Sequence, residues 1–453
     1  MVKLKLKLKN LLLVISILTL IGNNVFSQPP ADGANKFVGN ITTNYQIRPD
    51  FNTYWNQITG ENEHKWSSVE GTRGMYDWTA GDRIANYARE HGIPWRFHTL
   101  IWGSQYPGWM DNLSQQEQLA SITAWMDAAA ARYPDVEMID VVNEALDGGG
   151  VRHAPPLTWK DALGGDGASG YDWVITAFRM ARERWPNAIL KYNDYNIIEW
   201  GNNIAEAERL IGILLANNAP IDAIGVQAHD AYRIETNQLR SNIDRLAAFG
   251  LPIFVTEYDV PEANDNRQRE IIQEQFTMFW NHPKIVGITF WGYVLGATWV
   301  ENTGLMHPDG RERPALTWLK NYIRDNPNPP NDFPHLLGLG GGEPPPPPPL
   351  VPNSARGAEH PGAPRNGTVR RQRSISGRRT HHSSGPFRDM QHRPRRREKS
   401  AEIPTETAGT VDLHEPRHPY PTLDLAGMGV NRIGEDHPPR SSQAARTRVS
   451  AFS

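Results

Sequence analysis

Two short stretches carry carboxylates where an apolar run leaves little reason for a charge. IDVVNEAL at Ile139–Leu146 runs into Glu144, and FVTEYDV at Phe254–Val260 runs into Glu257. A pair of carboxyl groups is the minimal equipment for cleaving an acetal, because one must protonate the leaving oxygen while the other stabilises or attacks the cationic sugar carbon. If they stand about 5 to 5.5 Å apart, the second attacks carbon directly and configuration is retained; a wider gap admits a water and inverts it. One carboxyl must therefore hold a proton near neutral pH while its partner is ionised. Glu257 is followed by Asp259, and the preceding apolar run, AIGVQAH, ends on His229. A chain Glu257–His229–Asp259 would keep Glu257 ionised and correctly turned. Glu144 has Asn143 beside it and no cation close by in sequence, so it is the expected proton donor.

The segments that carry these residues set the architecture. Strand-like runs occur at KFVGNI, at a short run leading to Glu61, and at PWRFHTLIW, EMIDVVNE, AILKYND, AIGVQAH, PIFVTEYD and IVGITFWGY. Between them lie amphipathic stretches such as DRIANYAREHG, QEQLASITAWMDAAAARY, YDWVITAFRMARERWP, NIAEAERLIGILLANN, TNQLRSNIDRLAAFG and QREIIQEQFTMFWN. Their apolar residues recur every three or four positions, and several end in Gly, Asn or Pro. Strands near-continuously apolar and alternating with helices predict an α/β fold, a (β/α)8 TIM barrel over residues 28–325; the alternative is an open doubly wound sheet. In a barrel the strand ends open into one bowl, and those ends supply Glu61, Asn62 and Lys65; His98 and Trp102; Asn143 and Glu144; Asn193 and Asp194; Gln227 and His229; Glu257 and Asp259; and Trp291. Trp125, Trp173 and Trp185 fall inside helical stretches and are expected in the core.

Composition narrows the function classes. Residues 28–349 hold 25 Lys+Arg against 40 Asp+Glu, a net charge of -15, which disfavours nucleic acid or polyphosphate and suits a neutral substrate. The chain opens on MVKLKLKLKN and the apolar run LLLVISILTLIG, too short to span a bilayer comfortably, with a plausible cut after Ser27. Residues 1–27 thus read as a signal peptide of a secreted or periplasmic protein without stable membrane association. There is no cysteine, which removes disulfides and thiolate metal sites. His98, His229 and Glu144 could ligate zinc, but no HExxH-like spacing supports it, and neither metal nor cofactor is expected. Residues 326–350 form a Pro/Gly-rich linker, and 351–453, rich in Arg, Pro, Ser and His without periodicity, read as a disordered basic tail. A basic arm for an anionic surface is the alternative there, though RRQRSISGRR and RPRRREK lack the interleaved aromatics of a nucleic-acid module.

In order and spacing, ENEHKW, HTLIWGSQYPGW, DVVNEAL, YNDYN, GVQAH, TEYD and WGYVLGATW resemble family 10 of the glycoside hydrolases, the retaining endo-β-1,4-xylanases, over residues 36–324. The resemblance implies a xylanase acting on xylan or xylo-oligosaccharides, with Glu144 as acid/base and Glu257 as nucleophile; a monomer is expected. It further implies that Asn143 holds the 2-hydroxyl of the sugar being cleaved and that His229 and Asp259 support Glu257. Glu61, Asn62, Lys65, His98, Trp102, Asn193, Gln227, Trp291 and Trp299 are then expected to bind substrate. Sugars present apolar C–H faces rimmed by hydroxyls, so flat aromatics such as Trp102, Trp291 and Trp299 suit the cleft. Departures from the family pattern at Gly103, at Tyr258 and in the YVLGATW loop are expected to alter the shape of the subsites. A β-glucan-directed hydrolase and a non-catalytic polysaccharide-binding barrel are the other readings of the same scaffold.

Overall fold

The computed structural model describes residues 28–146, 155–334 and 336. The leader at 1–27, the tail at 351–453 and most of the expected linker lie outside the described residues. Eight parallel strands pair in sequence order and close on themselves, the last with the first. They are β1 (Phe37–Ile41), β2 (Ile58–Thr59), β3 (Trp95–Trp102), β4 (Met138–Asn143), β5 (Ile189–Asp194), β6 (Ala223–Val226), β7 (Ile253–Tyr258) and β8 (Ile285–Phe290). The barrel expected from the alternation of apolar and amphipathic runs is therefore present, and the open sheet is not. Long helices follow every strand except β1: α1 (Thr79–His91), α2 (Gln115–Arg132), α3 (Asp172–Arg184), α4 (Gly201–Ala216), α5 (Thr236–Ala247), α6 (Asp265–Asn281) and α7 (Pro314–Asp325).

Local sequence explains where the helices start and stop. Ser114 and Glu117 form a reciprocal capping box at the start of α2, Asn264 accepts from two backbone N–H groups at the start of α6, and Gly92 ends α1 in the left-handed region at φ 61. Trp125, Trp173 and Trp185 are buried, as expected of core residues. Trp125 sits in an aromatic stack, near-parallel to Trp66 and to Trp78 with ring centroids 5.7 and 5.6 Å away.

The barrel interior is layered, and the layers differ in chemistry. Its lower end is plugged by Phe37, Met138, Ile189, Ala223, Phe254 and Val286, against which Phe333 and Leu336 pack from outside. Asn331 and Asp332 anchor that segment, through Asn331 to Asn35 O at 2.5 Å and Asp332 N to Pro283 O at 2.8 Å. The packed domain thus extends beyond Asp325 into the residues that composition marks as linker. Above the plug, the middle layer is polar. Arg96, His98, Asp140 and Lys191 all lie at 2 % exposure or below, and the strand register aligns His98 with Asp140 and Asp140 with Lys191. The apolar runs that predicted the strands hide a charged seam pointing inward.

Candidate active site

That seam supports the bowl. Asp140 accepts from His98 Nδ1 at 2.8 Å and pairs with Arg96 and Lys191 at 3.4 Å each. Burial would raise the Asp140 carboxyl, but Arg96 and Lys191 hold it well below the usual carboxylate range. Burial brings Lys191 down to about 8 against the pull of Asp140, and it likewise lowers His98. Arg96 donates to Thr256 O at 2.9 Å, one residue before Glu257. The middle layer is thereby bonded directly to the strand that carries the second carboxylate.

Glu257 lies within β7 and is 4 % exposed. Asn193 Nδ2 donates to its Oε1 at 2.7 Å, and His229 Nε2 stands 3.3 Å from its Oε2. The other ring nitrogen of His229 lies 3.2 Å from Asp259 Oδ2, and that oxygen also accepts from Trp299 Nε1 at 2.6 Å. The Glu257–His229–Asp259 chain read from the sequence is present, and Trp299 extends it. Burial would depress the imidazole, but the carboxylates of Asp259 and Glu257 override it and raise His229 to about 10. Burial would conversely raise Glu257, yet the hydrogen bond and charge of His229, with Arg96 behind, hold it at about 2. Glu257 is ionised throughout the neutral range.

Glu144 is the residue after β4, 7 % exposed, with its backbone in the left-handed region at φ 59. A bulky residue there is strained, and the turn redirects its side chain away from the pleat of the strand. Trp102 Nε1 donates to Oε2 at 2.9 Å and Gln227 Nε2 to Oε1 at 3.0 Å. The two carboxylates share a hydrogen-bonded network: Gln227 also reaches Asn143 Oδ1 at 3.3 Å, and Asn193 Nδ2 bridges Asn143 Oδ1 at 2.8 Å to Glu257. Asn143 is buried, and among the described residues its Nδ2 has no partner.

Asn193, expected at the substrate, is instead wholly buried; it holds Asn143 and Glu257 in place while its Oδ1 accepts from Thr256 Oγ1 at 2.6 Å. Gly225 on the next strand makes room for it, since a Cβ there would fall 2.4 Å from Asn193 Oδ1. His98 is likewise below the surface of the bowl, edge-on to Trp291 at 5.4 Å. Tyr258 also departs from expectation. Glu257 points inward, so its neighbour points outward: Tyr258 is buried against Phe279 and Phe290 and donates to Gln275, and it does not shape the subsites.

The remaining expected residues gather on one side of the bowl. Lys65 Nζ donates to Asn62 Oδ1 at 2.9 Å and to Gln105 Oε1 at 2.7 Å, and it lies 4.8 Å over the Trp102 ring. Burial lowers its pKa against the pull of Glu257, Glu61 and Glu144. Burial pushes Glu61 up to about 7. Gln105 escaped the sequence reading because it lies beyond its strand end, although the quoted motif HTLIWGSQYPGW contains it. Among the described residues, no group of three or more His, Cys, Asp or Glu is arranged to hold a metal.

The fold agrees with what the chain is similar to. The glycosyl hydrolase family 10 model matches residues 31–322. The chain belongs to that family. Endo-1,4-beta-xylanase B of Cellvibrio japonicus (strain Ueda107) is 46 % identical over 292 residues, 64 % of this chain and 46 % of the relative. The chain thus spans less than half of that relative's length. Beta-1,4-xylanase of Dictyoglomus thermophilum is 32 % identical over 287 residues, covering 59 % of this chain and 79 % of the relative. Among solved structures, xylanase 10B from Thermotoga petrophila RKU-1 in complex with xylobiose is 27 % identical with a TM-score of 0.59, covering 67 % of this chain and 98 % of that one.

Proposed function

We propose that the protein is a secreted, retaining endo-β-1,4-xylanase in which Glu144 is the acid/base and Glu257 the nucleophile. The observation that carries the reading is the unequal treatment of two buried carboxylates in one network: Glu257 is paired to a raised imidazole, and Glu144 is held by Trp102 and Gln227. In the first step Glu144 gives its proton to the leaving oxygen while Glu257 attacks the sugar carbon and forms a glycosyl ester. In the second, Glu144 takes a proton from water, the hydroxyl attacks that carbon, and Glu257 leaves as carboxylate. Asn143, with its unpartnered Nδ2 beside both carboxylates, is suited to the 2-hydroxyl of the reacting sugar. Glu61, Asn62, Lys65 and Trp102 suit the next sugar, combining polar side chains with a flat ring.

Xylan as substrate rests on the relatives, which are named as xylanases, and on the related structure that holds xylobiose. Incubating the protein with xylo-oligosaccharides and following the anomeric proton of the first product tests the reading. The β anomer is expected first; an α product, or no cleavage of xylan, rejects it. Residues 1–27 are proposed as the leader removed on export, and the intact mass of the exported product checks both that cut and the retention of 351–453.

A further inference from the structure

The loop after β1 presents an exposed aromatic side chain that neither the core nor the reaction uses. Thr43 and Gln46 exchange both backbone hydrogen bonds at 2.9 Å, which makes Asn44 and Tyr45 the central pair of a two-residue turn. Both are left-handed, at φ 49 and 59. Asn-Gly fills such a turn without cost, whereas a tyrosine at the second position is strained. Packing does not offset that strain, because Tyr45 is 47 % exposed. The turn is nonetheless fixed: Arg83 Nη2 donates to Tyr45 O at 3.0 Å. Strain of this kind persists where the surroundings enforce it, and it gathers at ligand sites.

The position of the ring says which ligand. Thr42, three residues before Tyr45, accepts from Glu61 N at 3.3 Å, so the turn is tied to the rim residue expected to bind sugar. Partial burial and the charges of Glu63 and Glu61 push the phenol of Tyr45 up, against a smaller downward pull from Ser68. A flat, partly exposed ring thus stands close enough to Glu61 and Glu63 to feel their charges, on a turn bonded to Glu61 through Thr42. Sugar rings stack their C–H faces on such surfaces.

We infer that Tyr45 is the platform for a further sugar of the bound chain, the third on the non-reducing side of the cleaved bond; this rests on the xylanase reading above. The test compares para-nitrophenyl β-xylobioside with para-nitrophenyl β-xylotrioside, using the full chain, Tyr45→Asn and Tyr45→Phe. Asparagine suits the turn and removes the ring; phenylalanine keeps the ring. In Tyr45→Asn the ratio of kcat/KM for trioside over bioside is expected to fall about 3- to 10-fold, carried mainly by KM, with Tyr45→Phe keeping the parental ratio. An unchanged ratio in Tyr45→Asn, or an equal loss on both substrates, overturns the inference while leaving the xylanase reading intact. A parent protein that releases nitrophenol from neither substrate overturns both.

Discussion

The two ends of the bowl hold their carboxylates in different ways. At the top of β7, Glu257 has the extended backbone of a strand and takes its hydrogen bonds from Asn193 and from an imidazole raised to about 10. Just past β4, Glu144 sits on a left-handed residue, and the donors that the described residues supply include the neutral Trp102 and Gln227. A charged partner suits a carboxylate that must never acquire a proton, since protonation would cost it that ion pair. The fold distinguishes the two glutamates by their neighbours, because the side chains themselves are identical.

Removing the carboxylates probes that asymmetry with the largest expected effects. Glu257→Ala should lower kcat on xylan by about 10⁵-fold or more, measured as reducing sugar released. Glu144→Ala should also lose xylan, but azide should restore turnover of an activated aryl xylobioside and give a β-configured glycosyl azide. Substantial xylan hydrolysis by Glu257→Ala would erase the distinction. Next come the groups that aim Glu257. Asn193→Ala is expected to cost about 10²-fold in kcat, because it removes a buried donor to Glu257 and unties Asn143. Gly225→Ala should cost less, about 10-fold, since its Cβ would press on Asn193 Oδ1.

Charge is a finer probe of the same contrast. Against a pull upward by burial, His229 lowers the pKa of Glu257, so His229→Asn should shift the acid limb of kcat/KM upward by about one unit. The sign for stability runs the other way in pH. The folded pKa of His229 is raised to about 10 from an unfolded value near 6.5, so its stabilisation is complete below about 6.5 and is lost as pH rises through about 10. Urea midpoints should therefore fall across that window more steeply in the parent than in His229→Asn. The smallest effect serves as a control remote from both carboxylates. The Arg245–Glu208 pair is 40 % and 30 % exposed, and Arg245→Ala should cost no more than about 1 kcal/mol and leave kinetics untouched.

Much of this was legible in the sequence because its signals are local. Apolar runs of strand length gave the eight strands, and a polar or aromatic group closing every run but the first gave the rim from Glu61 to Trp291. The seam beneath the bowl was harder to read, because its members are scattered over three apolar runs and find their partners across strands only when β3, β4 and β5 align. A signal was present even so: Arg96 precedes His98 by two residues, and Lys191 precedes Asn193 by two, the spacing that puts both members of each pair on one face of a strand. The same alternation accounts for Tyr258, whose place beside Glu257 sends it to the opposite face. Asn193 looked like a substrate contact because it ends a strand, and only the crossing of Asn143, Glu257 and Thr256 around it reveals a residue with no surface. The turn at Tyr45 carries no periodic signal at all, and its φ of 59 is a property of the fold.

The central claim is that Glu257 forms a covalent bond to the sugar. An activated fluoroxylobioside, whose fluorine slows the second step more than the first, should inactivate the enzyme with one fluoroxylobiosyl group bound per chain. Peptide mass spectrometry should then place the label on Glu257. A label on any other residue, or turnover without accumulation of a labelled enzyme and with inverted product, would contradict the account.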